Sequence, residues 1–367
     1  MDRPHAPGRL GPGLSHSLSH SLTLRVPILL LAIFLIGLSP DPASAQPAAE
    51  LRARIEIAMG RRDWAQALGL SGRLHQIEPN GGLAAYNAAC FAALNGEVPV
   101  ALDWLRKSAE AGFEGVHMLA HDPDLAAARA DGGFADVAAL VRANRDRGFG
   151  EFRELAADYE PMALLPPGMA GKGQGERGLP LIIALHGFGA NGADIGGAWQ
   201  EAAAAVGAIL VAPDALRRRG NGAGFEWRFI DEGEWLVLRV LEQMKRRYNI
   251  DPDRVVLTGF SQGANLTLYI GARHPDLFRG LIPYAGRYQT GDAPLESLLA
   301  LPAEERPRVA LRIGADDTGA RSYEHAEAEL RAAGVDVQRE VYPGVGHSLP
   351  ANATEELSEA LRWVLER

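Results

Sequence analysis

The chain has 367 residues, 47% of them hydrophobic and 23% charged, with a formal net charge of −9. Those values suit ordinary globular domains and leave room for two of them, while the acidic balance argues against a nucleic-acid or anionic-membrane surface. A single cysteine, Cys90, excludes an intrachain disulfide framework and reads as a small core residue, and no Cys/His grouping has zinc-site spacing.

Residues 1–45 read as an export signal. Arg3, Arg9 and Arg25 supply a long positive stretch, and Val26 to Leu38 is an apolar run too short for a comfortable membrane span. Ala43-Ser44-Ala45 fits the small-x-small cleavage rule and predicts maturation before Gln46, with no stable span left afterwards. The mature chain is then expected in the periplasm or outside the cell.

Residues 46–146 are expected to form a small all-α domain. Leu51 to about Asn144 is alanine-rich, and Ala67-Leu68 recurs as Ala101-Leu102, 34 residues later. A small residue where paired helices touch, with Pro79 closing the second helix, resembles a tetratricopeptide repeat. The pattern is degenerate, because Trp64 and Trp104 are off its tryptophan position. Repeats of this kind either bind a protein or peptide partner or pack on a neighbouring domain, and the residues leave both open.

Arg145 to Gly150 reads as a short charged junction, so the second domain is drawn as residues 147–367. There, apolar runs alternate with helical stretches. Tyr159–Leu165 is an early edge strand; Leu181–Leu185, Ile209–Val211, Val255–Leu257, Leu281–Tyr284, Val309–Ile313 and Val337–Tyr342 follow. The helices between and after them are Ala198–Val206, Glu234–Tyr248, Ala264–Arg273, Tyr323–Ala333 and Thr354–Leu365. That alternation predicts an α/β fold with a doubly wound, mostly parallel sheet whose sites lie beyond the carboxyl ends of the strands. The loop 166–178 contains Gly171-Lys172-Gly173 but lacks P-loop spacing, so it reads as a surface loop.

The run Val255-Val256-Leu257-Thr258 leads directly into Gly259-Phe260-Ser261-Gln262-Gly263 and then a helical stretch. Strand, G-x-S-x-G and helix describe a nucleophile elbow, in which a strained turn holds the serine Oγ above the sheet. Ser261 is therefore the candidate nucleophile. Its base should be a histidine late in the chain, and His347 in Pro343-Gly344-Val345-Gly346-His347 follows the last strand. His274 and His325 read as solvated. The acid that orients the base should end the strand Val309–Ile313, where Asp316 and Asp317 both stand. Oxyanion donors are expected from the backbone N–H groups of Gln262 and of Phe188 in His186-Gly187-Phe188-Gly189.

At these residues, and at Tyr248–Val255, His274–Phe278 and Gly344–His347, the chain resembles the α/β-hydrolase superfamily. The likeness is to small esterases of the phospholipase/carboxylesterase and polyhydroxyalkanoate-depolymerase-like groups. It implies a serine hydrolase without a cofactor, acting on a small-molecule ester or thioester. The G-x-x-D register of these relatives implies Asp317 rather than Asp316. Trp227 matches a tryptophan that such relatives carry and so either lines the substrate pocket or is structural. Arg217-Arg218-Arg219 attract an anionic substrate or form a solvated loop. Two other readings stand beside the esterase: a serine peptidase on the same fold, and an inert hydrolase-like domain in a repeat-mediated binding protein.

Overall fold

The computed structural model describes residues 42–168, 178–219, 222–289 and 294–366. The charged and apolar parts of the expected export signal lie outside the described residues; its cleavage point falls in the first turns of the first helix. Most of the glycine-rich loop also lies outside them.

The N-terminal part is helical: α1 Pro42–Gly60, α2 Trp64–Ile77, α3 Leu83–Leu94, α4 Val98–Glu110, the short α5 Val116–His121 and α6 Ala126–Arg129, and α7 Phe134–Leu155. Each of the first three packs on the next, and α4 packs on α7. Alanine makes that close approach possible, since Ala67, Ala85, Ala88, Ala89, Ala92 and Ala101 are fully buried. The expected repeat position, Ala67 and Ala101, falls at equivalent places in α2 and α4. The turn before α3 depends on Gly82, which has φ 70°, and whose added Cβ would lie 2.3 Å from the Ser108 carbonyl oxygen.

The boundary drawn at residues 146 and 147 is wrong as a linker. Arg145 to Gly150 sit in the middle of α7, which runs unbroken for 22 residues. Gly148 lies within the helix against the Glu114 carboxylate: a Cβ would fall 2.1 Å from Oε2, so the end of that side chain would have to move. Beyond it, Phe149 and Phe152 meet Trp235 edge-on, at 6.5 and 6.1 Å between ring centres, and Phe152 is 1% exposed. The last turns of α7 thus belong to the core of the second region.

That region is a seven-stranded sheet. Its strands are β1 Met162–Leu164, β2 Leu179–Leu185, β3 Ile209–Ala212, β4 Ile250–Phe260, β5 Gly280–Tyr284, β6 Arg308–Gly314 and β7 Val337–Tyr342. The order is β1-β3-β2-β4-β5-β6-β7, with the edge strand β1 antiparallel and every other pairing parallel. Every residue of β2 is buried, because helices cover both faces. Its side chains divide by the strand period of two: Leu181, Ile183 and Leu185 join one core, Ile182 and Ala184 the other.

The first core takes in α9 Ile230–Arg247, α10 Gln262–Arg273 and α12 Ala320–Ala332; the second takes in α8 Gly192–Ala205 and α13 Ala353–Leu365. A short α11, Leu295–Ala300, lies between β5 and β6. The α8 helix begins six residues before the expected Ala198, because Asn191 and Asp194 form a reciprocal capping box there. Strand order, a central parallel sheet and the turn between β4 and α10 identify the α/β-hydrolase fold.

Candidate active site

The turn from β4 into α10 is strained where the sequence predicts. Ser261 has φ 55° and ψ −114°, a backbone conformation that L-residues rarely adopt. Its N–H donates to the Tyr284 carbonyl at 2.8 Å, which ties the turn to the neighbouring strand. The two flanking glycines have separate reasons. A Cβ on Gly259 would lie 2.4 Å from the Gly263 carbonyl group, inside the turn itself. One on Gly263 would lie 2.2 Å from the Leu185 oxygen and 2.8 Å from that of His186, at the end of β2. The helix therefore starts directly against the loop that follows β2.

Three side chains from three strand ends converge on the turn. His347 Nε2 is 2.8 Å from Ser261 Oγ, and His347 Nδ1 is 2.6 Å from Asp317 Oδ2. A carboxylate only accepts, so Nδ1 carries the proton and Nε2 is left to accept from the serine hydroxyl. The Asp317 side chain is 3% exposed and its second oxygen accepts from Gly319 N–H at 2.7 Å, whereas the His347 side chain is 52% exposed. Of the doubled acid, Asp317 faces the imidazole. Asp316 is exposed, and its backbone N–H donates to Val345.

The loop after β2 lies beside the serine, with a Cβ on Gly187 falling 3.3 Å from Ser261 Cβ. His186, at its start, is fully buried. Its Nδ1 lies 2.7 Å from the Gly187 oxygen and its Nε2 accepts from Ala215 N–H at 3.0 Å. Accepting at Nε2 requires the neutral ring, with the proton on Nδ1 donated to Gly187, and burial pushes its pKa below the usual histidine value. The next residue but one, Phe188, is half-buried beneath the Arg219 guanidinium, 4.4 Å from its ring centre. Gln262 opens α10, where helix geometry gives its N–H no intrahelical acceptor. Gln262 thus adjoins Ser261 in the chain, and Phe188 follows the glycine that lies against it.

Trp227 does not line an open pocket. It is 6% exposed, and its ring lies over His186 at 5.1 Å while its Nε1 donates to the His186 oxygen at 2.9 Å. Its backbone is clamped by the Gln262 side chain, which accepts from Trp227 N–H at 2.9 Å and donates to Trp227 O at 3.0 Å. Nor is Arg217 a solvated loop residue: it pairs with Glu232, which is 3% exposed. Of the two histidines read as solvated, His325 is exposed, but His274 Nε2 sits 2.6 Å from Glu234. The sequence reading missed the second job of Gln262. A long amide right after an elbow serine was the available signal.

Among known proteins, the model of the dienelactone hydrolase family matches residues 226–362. Poly(3-hydroxyalkanoate) depolymerase C of Paucimonas lemoignei is 32% identical over 114 residues, covering 29% of this chain and 28% of that protein. The bifunctional acetylxylan esterase/xylanase XynS20E of Neocallimastix patriciarum is 30% identical over 110 residues, covering 29% of this chain and 16% of that one. The chain thus spans less than a third of the length of either relative. The solved structure of esterase PE8 is 23% identical with a TM-score of 0.46, covering 56% of this chain and 98% of its own. The family match takes in Ser261, Asp317 and His347 and leaves out Phe188, β2 and α1 to α7.

Proposed function

We propose that this chain is a hydrolase of the carboxylesterase type, cleaving carboxylic ester or thioester bonds through a Ser-His-Asp triad and an acyl-enzyme. The observation that carries the reading is the hydrogen-bonded series Asp317–His347–Ser261, at 2.6 and 2.8 Å. His347 takes the Ser261 proton as Oγ attacks the ester carbonyl, and Asp317 holds the tautomer and stabilises the imidazolium. The amides of Phe188 and Gln262 receive the developing oxyanion. His347 then gives its proton to the leaving alcohol or thiol. Water repeats the sequence on the acyl-enzyme and releases the acid.

The family match over residues 226–362 and the esterase relatives favour this chemistry over a peptidase. Ser261→Ala should remove labelling by a fluorophosphonate probe and lower turnover of p-nitrophenyl acetate by at least ~10³-fold without unfolding the chain. Turnover near that of the unaltered chain would remove Ser261 from the mechanism.

The helices α1 to α4 are read as two tetratricopeptide-type pairs, on the strength of buried Ala67 and Ala101 at 34-residue spacing. Residues 1–45 are read as an export signal for the periplasm or beyond. The mass of protein made in a secreting host should place Gln46 first, and recovery of the intact chain from membranes would overturn that reading.

A further inference from the structure

Between the helical region and the second region lies a charge cluster, buried at Arg145 and Glu232 and open to solvent at Asp231, that the proposed mechanism does not use. Arg145 of α7 is 7% exposed and grips Asp231 with a two-pronged contact, Nε to Oδ2 and Nη2 to Oδ1, each at 3.0 Å. Its Nη1 donates to Glu232 Oε1 at 2.9 Å and to Glu114 Oε2 at 2.8 Å. Glu232 also holds Arg217, whose Nε donates to Oε2 at 2.9 Å, and Arg217 Nη2 donates to the Gly148 carbonyl of α7 at 2.9 Å. The Arg145 guanidinium lies over the Phe229 ring at 4.0 Å.

Arg217 begins a hairpin whose far arm ends at Trp227. Glu226 N–H donates to Arg217 O at 2.9 Å, and Arg218 pairs with Phe225. The far arm touches both oxyanion segments. Phe225 accepts from Gly189 N–H at 2.8 Å and donates to Ala190 O at 3.0 Å, which fixes the loop carrying Phe188. Two residues on, Trp227 is clamped by the Gln262 side chain and bonds the His186 carbonyl.

The geometry points to Arg145 as a positioning residue for the reaction: from the helical region, through Glu232 and Arg217, it braces the hairpin that sets the Phe188 and Gln262 amides. The inference rests on the esterase reading above. Arg145 touches no reacting atom. It supplies a fixed charge to a buried carboxylate, so the hairpin's base stays docked on α7. An oxyanion hole works only when its donors are already in place, so a shift of a fraction of an ångström acts on the transition state more than on the bound ester.

Arg145→Gln in the full-length chain separates this role from simple stability. Active sites are counted with a fluorophosphonate, and kcat and KM for p-nitrophenyl acetate are expressed per labelled site, well below the melting temperature. We expect kcat to fall about tenfold with KM changed less than about twofold, and the affinity for a boronic-acid transition-state analogue to fall in parallel with kcat. Unchanged kcat per site and unchanged boronate affinity, whatever the loss in melting temperature, would overturn the inference alone. An unaltered chain that takes up no fluorophosphonate would overturn the esterase reading and this inference with it. If the Gln variant does not fold, Arg145→Lys answers the same question. It keeps the charge but not the fork, and should lower kcat per site about threefold in step with boronate affinity, against no change for a purely structural arginine.

Discussion

Residues 42–155 and residues 162–365 make their contacts by opposite rules. In the first, α1 to α4 pack in chain order, and the close approach is made by alanines with no chemistry of their own. In the second, neighbours in space are distant in sequence: Ser261 and His347 are 86 residues apart, and His347 and Asp317 are 30 apart. A parallel sheet aligns the carboxyl ends of its strands, so residues that the chain scatters arrive together at one edge. The proposed reactive site follows from the second rule alone. Stacking helices in order yields a stable body, and returning strands yield a site. The two meet at Arg145, where the first region holds the first turn of α9 in the second.

The largest test of that division is at the doubled acid. Asp317→Asn should lower kcat on the order of 10⁴-fold, since it leaves the shape and removes the charge that fixes the His347 tautomer. Asp316→Asn, at an exposed side chain, should cost at most several-fold. The opposite order in a kcat comparison would transfer the orienting role to Asp316.

A middle-sized effect should appear in stability alone. Leu105 in α4 is 1% exposed within the core of the helical region. Leu105→Ala should cost roughly 2–5 kcal/mol in denaturant unfolding and leave kcat per labelled site unchanged. A matching loss of turnover would mean that the helical core, and not Arg145 alone, governs the site.

The smallest effect is a pH dependence confined to the helical region. The Asp124 carboxyl is pushed up to about 6 by its burial and, second, by the charge of Asp122. Unfolded, it titrates near 3.9. Between roughly pH 4 and 6 the folded chain therefore binds more protons than the unfolded one, and stability falls as pH rises through that window. Asp124→Asn removes the charged form altogether. Its melting temperature should exceed that of the unaltered chain by a few degrees at pH 7.5, and the gain should vanish at pH 4. An equal shift at both pH values would show that the change acts through packing.

Much of the candidate site was legible in the order of the residues. Ser261 stood out because strand, glycines and helix each have a local cause, and His347 and Asp317 because the fold runs nucleophile, acid, base along the chain; the structure brings the three together. What the sequence hid were contacts with no local signature. Arg145 to Gly150 looks like a linker because charge and glycine mark surface turns; the charge is consumed by Glu232 and Asp231, and Gly148 by the nearby Glu114. Trp227 looks like a pocket wall because nothing in its neighbours reveals that Gln262 bonds its backbone. Both cases turn on partners dozens of residues away, which no window of local pattern can reach.

The placement of β2 beside β4 also sets the order in which the molecule comes into being. Leu181 pairs with Val255, 74 positions further along the chain, whereas α1 to α4 pack on one another in chain order. Short-range contacts form fast and long-range strand pairing is slow. The strained Ser261 turn depends on that pairing, since Gly263 must seat against Leu185 and Ser261 N–H must find Tyr284. In refolding from denaturant, helical circular dichroism should therefore recover before fluorophosphonate labelling; simultaneous recovery would refute the sequence of events. A chain caught between the two steps would hold every residue of the site and none of its reactivity.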